Sequence, residues 1–217
     1  MECGTEDSSG DKNYNMTMKI ENIIFDFGGV LVDWNPRYLY KNHFPSEEEM
    51  EYFLHAICTD EWNIEQDRGR TLAEGTTILQ AKFPEHHDLI QLYYDGWETM
   101  LKRDIPETVT ILHKLKEKYN LYGLTNWSAE TFPIAYERYS FFKEFKGIVV
   151  SGTEKMIKPD KRIFHLLFDR YQIKPEHSVF IDDNINNIKT ANEIGLNAIH
   201  FQSPEQLAKE LEYIKVL

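Results

Sequence analysis

Four segments, far apart in the chain, carry the residues whose types could do chemistry together. Asp26 ends the apolar run Ile23-Ile24-Phe25, and Gly28-Gly29 follow it closely. Thr125 and Asn126 end a second apolar run, Leu121-Tyr122-Gly123-Leu124. Lys158 stands before Pro159, in Lys155-Met156-Ile157-Lys158-Pro159. Asp182 and Asp183 end a further run, Ser178-Val179-Phe180-Ile181. Three carboxylates brought together repel one another unless a cation sits among them. Magnesium takes oxygen ligands, uses one or two carboxylates and keeps several waters. A phosphate beside it needs N–H donors, a hydroxyl and a positive charge, which Asn126, Thr125 and Lys158 supply. Asp26 is then placed to attack phosphorus and form an aspartyl-phosphate. Each member alone has an ordinary alternative. A lone lysine is usually a solvated surface residue, a lone strand-end threonine usually a cap. The specificity lies in the combination and its order.

These residues meet only if the elements that carry them end at one edge. The run before Asp26 has no polar alternate face, so it predicts a strand covered on both sides. Gly28 and Gly29 allow a turn that brings backbone close to whatever Asp26 touches. Further strands are predicted at Leu121–Asn126, Gly147–Ser151, Ser178–Asp183 and Asn197–Phe201. Between them fall helical patterns: Val109, Leu112 and Leu115 after Pro106; Ile163, Leu166 and Leu167 after Asp160; Ile188, Ala191 and Ile194 before Gly195. Strands alternating with helices predict a parallel α/β sheet in three layers. In such a sheet ligands bind beyond the carboxyl ends of the strands. Asp26, Thr125 and Asp182-Asp183 all lie at such ends, and Lys158 lies in a loop at the same edge.

Residues 36–103 have a different texture, with helices and no strands. Ser46 with Glu49 forms a capping box, followed by Met50, Phe53, Leu54 and Ile57 on one face. Thr71 starts a second helix with Ile78 and Leu79, and Asp88 a third with Ile90, Tyr93, Tyr94 and Trp97. Such short amphipathic helices predict a small bundle that is both self-packing and placed as a lid. Trp62, Asn63, Arg68, Arg70 and Trp97 are its candidates for facing the site. Residues 1–18 are polar and predict a disordered tail.

The four motifs resemble the haloacid dehalogenase superfamily, in its phosphatase branch. Its motifs match Phe25-Asp26-Phe27-Gly28-Gly29-Val30-Leu31, Leu124-Thr125-Asn126, Lys158-Pro159 and Asp182-Asp183. The resemblance implies a Rossmann-like core over 19–35 and 104–217, with strand order 5-4-1-2-3 and a helical cap inserted at 36–103. It implies Asp26 and Lys158 as catalytic residues, and Thr125, Asn126 and Lys158 as substrate-binding residues. It further implies a Mg2+ site at Asp26, the Gly28 carbonyl and Asp183, with Asp182 acting through water. At Gly28 the chain departs from the pattern, because most phosphatases of the family carry a second Asp there as general acid and base. A bacterial subgroup resembling sugar-1-phosphate phosphatases shares the departure. The implied activity is hydrolysis of a small phosphorylated metabolite, with a sugar phosphate among the candidates.

Two other readings keep the same fold. A dehalogenase also lacks the second Asp and needs no metal, but such a site has little reason to gather Asp182 and Asp183 near Asp26. A catalytically weak metal- and phosphate-binding regulator fits the missing acid. Composition narrows the partners. The net charge of -12 over 217 residues argues against nucleic acid. No apolar run is long enough to span a membrane. The N-terminus shows neither the basic nor the apolar region of a signal peptide. Cys3 and Cys58 form no disulfide framework, which suits a reducing cytoplasm. The oligomeric state is left open.

Overall fold

In the computed structural model, which describes residues 19–217, the central strand β1 (Asn22–Phe25) is buried along its whole length. Two short strands follow, β2 (Val32–Trp34) and β3 (Leu101–Asp104). Then come β4 (Asn120–Thr125), β5 (Gly147–Val150), β6 (Ser178–Asp182) and β7 (Asn197–His200). The main sheet has the order β5-β4-β1-β6-β7, all parallel. Counted among its own five strands, this is the expected 5-4-1-2-3 order read from the other edge.

Both faces of the sheet are covered, which is why β1 reads as a continuous apolar run. Ile23 and Phe25 join the core built with Ile111, Leu112, Leu115, Leu207 and Leu211. Ile24 turns to the opposite side, against Ile163, Phe164, Leu167, Ile188 and Ala191. These are the helices Pro106–Lys116 and Pro204–Tyr213 on one face, and Lys161–Tyr171 and Ile185–Glu193 on the other. The fold is the α/β, Rossmann-like three-layer architecture.

The helical insertion holds the helices Arg37–Tyr40, Glu47–Ala56, Asp60–Asp67, Leu72–Lys82, His87–Asp95 and Trp97–Met100. Ser46 Oγ accepts from the Glu49 N–H at 3.2 Å, and Thr71 Oγ1 from the Glu74 N–H at 3.2 Å, so both predicted starts are capped. Tyr40, Phe53, Trp62 and Tyr93 fill its interior.

One local expectation is corrected. The stretch to Arg103 is not free of strands: β3 pairs antiparallel with β2, making a two-stranded ribbon where the insertion leaves and re-enters the core. Leu101-Lys102-Arg103-Asp104 carries one apolar residue, so its strand state comes from pairing, not pattern. The turn expected at Gly28-Gly29 follows β1 directly. The N–H groups of Val30, Leu31 and Val32 all converge on the Phe27 carbonyl, at 3.2, 2.8 and 3.0 Å, and turn the chain there. The tail expected over 1–18 lies outside the described residues. Among the described residues no helix is long and apolar enough to cross a membrane.

Candidate active site

Strand register brings the motif ends together. Phe25 lies opposite Gly123 on β4 and Ile181 on β6. The next residues along, Asp26 and Asp182, are therefore neighbours, and the Asp26 N–H donates to the Ile181 carbonyl at 2.9 Å. Lys158 enters from the loop beyond β5 and is buried. Its Nζ lies 2.7 Å from Asp182 Oδ2, 3.0 Å from Asp26 Oδ1 and 2.8 Å from the Leu124 carbonyl. Three acceptors for three ammonium protons leave no unmet donor. Burial alone would lower the Lys158 pKa, but the charges of Asp182 and Asp26 outweigh it and the pKa is raised. Burial pushes the Asp26 carboxyl up to about 7; Lys158 opposes this, while Asp182 and Asp183 add to it.

The remaining bonds separate the roles of the carboxylates. Asp182 Oδ1 accepts from the Asn184 N–H at 2.7 Å and from Asn187 Nδ2 at 3.0 Å. Its Oδ2 accepts from Lys158 and, at 3.0 Å, from Asn187. Asp182 is thus fully engaged inside the protein. Asp183, one residue on, is exposed, and its carboxylate packs against the bare Cα of Gly29. Its pKa is raised, first by loss of water on that side and then by Asp182. Asp26 Oδ1 takes the Phe27 N–H at 2.7 Å as well as Lys158.

Oxygens of Asp26, Asp182 and Asp183 all lie within 4.8 Å of one another. With Asp182 committed elsewhere, the carboxylate oxygens left for a cation are those of Asp26 and Asp183. Two carboxylates fit magnesium, which takes one or two of them and completes its shell with water. Burial is the main cause of the upward shifts of Asp26 and Asp183, and repulsion from the neighbouring carboxylates adds to it.

Thr125 and Asn126 occupy the same edge in different states. Thr125 is buried and its Oγ1 has no hydrogen-bond partner, a cost that a bound oxygen would remove. Asn126 Oδ1 accepts from the Lys158 N–H at 2.8 Å, and its Nδ2 donates to the Lys158 carbonyl at 3.0 Å. Its amide therefore fixes the Lys158 backbone. Beside them, a cavity of about 100 Å³ opens between core and insertion, lined by Gly28, Asn126, Asp67, Trp34, Trp97 and Trp127 among others.

Of the insertion residues expected to face the site, Asn63 and Trp97 line this cavity. Trp62 is instead buried, its Nε1 donating to the Gly75 carbonyl at 2.9 Å. Arg70 is tied to Gln66 Oε1 at 2.6 Å, and exposed Arg68 meets Glu65 at 3.3 Å. Sequence reasoning missed Trp34, Trp127 and Asp67. The two tryptophans sit next to recognised motifs, which was the available signal; Asp67 had none, being one acid among many in the insertion.

The family model for haloacid dehalogenase-like hydrolases matches residues 20–195. Acyl-CoA dehydrogenase family member 10 of Mus musculus is 40% identical over 94% of this chain, which spans only 19% of that protein. A sesquiterpene phosphatase of Aspergillus oryzae is 24% identical over 88% of this chain and 94% of its own length. A HAD family enzyme of Bacteroides thetaiotaomicron, solved in complex with magnesium and inorganic phosphate, is 25% identical. It superposes with a TM-score of 0.63 over 84% of this chain and 94% of that one. The match over 20–195 places the four motif segments within the matched region, and the chain belongs to the haloacid dehalogenase-like hydrolases.

Proposed function

We propose that the protein is a magnesium-dependent phosphatase that hydrolyses a small phosphorylated metabolite through an aspartyl-phosphate on Asp26. The observation that carries this reading is the carboxylate cluster of Asp26, Asp182 and Asp183 built around one buried lysine. A dehalogenating site working on carbon needs no such cluster. The sesquiterpene phosphatase and the magnesium- and phosphate-bound neighbour are consistent with phosphoester chemistry here.

In this reading Lys158, held by Asp182 and Leu124, lies against both the nucleophile and the incoming phosphate. It offsets the negative charge that would otherwise keep carboxylate and phosphate apart. Thr125 Oγ1 donates to a phosphate oxygen, meeting its unmet capacity. Asn126 keeps the Lys158 backbone in place. Bound to Asp26, Asp183 and the Gly28 carbonyl, magnesium would neutralise phosphate charge and orient the ester. Asp26 attacks phosphorus, the ester oxygen leaves, and water then cleaves the aspartyl-phosphate. The three tryptophans among the cavity's lining residues suit a leaving group with an apolar face, as a sugar ring or an isoprenoid chain has. The buried thiol of Cys58 suits a reducing compartment such as the cytoplasm.

A panel of phosphate monoesters, assayed with magnesium and with chelator, tests the reading. Phosphate release from at least one ester, abolished by chelator and by Asp26→Asn, is expected. Release that survives Asp26→Asn would reject the assigned nucleophile.

A further inference from the structure

Phosphoryl transfer builds charge on the leaving oxygen, and an alkyl ester needs a proton donor there. The groups around Asp26 cannot supply one. Lys158 spends its three protons on Asp182, Asp26 and Leu124. Asp182 is fully hydrogen-bonded, Asp183 belongs to the proposed metal site, and position 28 is a glycine. Asp33 is engaged as well: Tyr38 donates to it at 2.9 Å and Arg103 lies 3.9 Å away.

The cavity beside Gly28 contains one carboxyl, and it comes from the insertion. Resting on the phosphatase reading, we propose that Asp67 is the general acid and base: it protonates the leaving oxygen, then takes a proton from the attacking water.

The placement is built. Asp67 is the last residue of the helix Asp60–Asp67 and lines the cavity with Gly28, Asn126 and Ser128. Its backbone carbonyl accepts from Ser151 Oγ at 2.5 Å, and that same Oγ accepts from the Trp127 N–H at 2.9 Å. Two residues later Gly69, at φ +104, passes so close to the core that a Cβ there would lie 3.0 Å from the Gly152 carbonyl. The insertion is therefore pinned to the core around Asp67 itself. The other titratable group lining the cavity, Tyr94, already donates to Asn63 Oδ1 at 3.0 Å and accepts from Gln66 at 2.7 Å.

The surroundings keep a proton on Asp67. A helix C-terminus disfavours negative charge. Burial pushes its pKa up to about 7, only partly offset by the Ser128 backbone N–H, and no cation acts against the shift. The packed neighbours that titrate, Tyr93 and Tyr94, are themselves raised, Tyr93 most by burial, so they remain protonated.

The balance closes over two steps. An Asp26 oxygen bonds to phosphorus; the P–O bond to the leaving group breaks, and its electron pair takes the Asp67 proton, releasing an alcohol. Asp67 carboxylate then removes a proton from water as the water oxygen bonds to phosphorus. The P–O bond to Asp26 breaks, giving inorganic phosphate, with Asp26 ionised and Asp67 protonated again.

The test is single-turnover formation of the aspartyl-phosphate with magnesium, using ethyl phosphate and p-nitrophenyl phosphate. In Asp67→Asn the rate with ethyl phosphate should fall by about 10²–10⁴, the usual scale of general acid catalysis, and that with the aryl ester far less. Gly28→Asp added to that variant should restore the alkyl rate, because Gly28 does not need a positive φ and a Cβ there meets nothing within 4 Å. A single cooperative thermal transition and unchanged inorganic phosphate binding in Asp67→Asn would show that the site still folds. An unchanged alkyl rate, or equal losses with both esters, would overturn the role of Asp67. Wild-type protein that forms no aspartyl-phosphate with either ester would overturn the phosphatase reading, and this proposal with it.

Discussion

Gly29 and Asp183 share one space: a Cβ built on Gly29 would lie 2.3 Å from Asp183 Oδ2. The glycine also holds φ at +72, in the left-handed region. The turn after Asp26 thus has no side chain at this point because the carboxylate of Asp183 fills the place. Gly29→Ala should push Asp183 aside and weaken magnesium binding by tenfold or more. It should also cost about 1–2 kcal/mol of stability from backbone strain. Calorimetric titration with magnesium and urea denaturation read the two effects separately. Unchanged affinity would mean that Asp183 is not a ligand.

Asp183→Ala separates binding from folding in a second way. Removing an exposed acid from a repelling cluster should leave metal-free stability equal or slightly higher, and abolish measurable magnesium binding. Thermal melts with and without magnesium give the result: the wild type gains stability from the ion and the variant does not.

Lys158→Met should have the opposite signature. It leaves Asp26 and Asp182 buried without their cation, and breaking a buried pair in this way costs about 3–5 kcal/mol. Denaturant unfolding at neutral pH should show the loss, and the loss should shrink at low pH, where the carboxylates are protonated. A loss independent of pH would mean that the lysine stabilises by packing alone.

Asp67 predicts a pH trend in stability measured without metal. Its pKa rises from 3.8 to about 7 on folding, so the unfolded chain ionises first as pH increases. Between those values the folded state binds more protons, and this group's contribution falls as pH rises. Asp67→Asn removes that contribution, so its stability relative to wild type should be higher at pH 8 than at pH 5. A difference that does not change with pH would place the Asp67 carboxyl in solvent.

What was legible in the sequence follows from its physics. The buried strands announce themselves as apolar runs because both faces are covered, and Asp26, Thr125 and Asp182 sit at the carboxyl ends where such runs stop. Helix starts at Ser46 and Thr71 were readable because capping is a local bond within one turn. The β2–β3 ribbon was hidden, since its arms are too short for a period and depend on each other. Asn126 shows a finer limit: its amide oxygen and one N–H hold the Lys158 backbone, a tie between two distant loops that no local pattern announces. Asp67 was illegible for a different reason. Its meaning arises only when the insertion docks through Ser151 and brings it to the cavity beside Gly28.

The central claim is that Asp26 carries the phosphoryl group. The most direct measurement is acid quenching of a single turnover with magnesium and p-nitrophenyl phosphate, followed by mass spectrometric mapping of the modified peptide. The account predicts one added phosphoryl group on Asp26 in the wild type and none in Asp26→Asn. A phosphoryl group on another residue, or phosphate release with no modified peptide at any quench time, would contradict it.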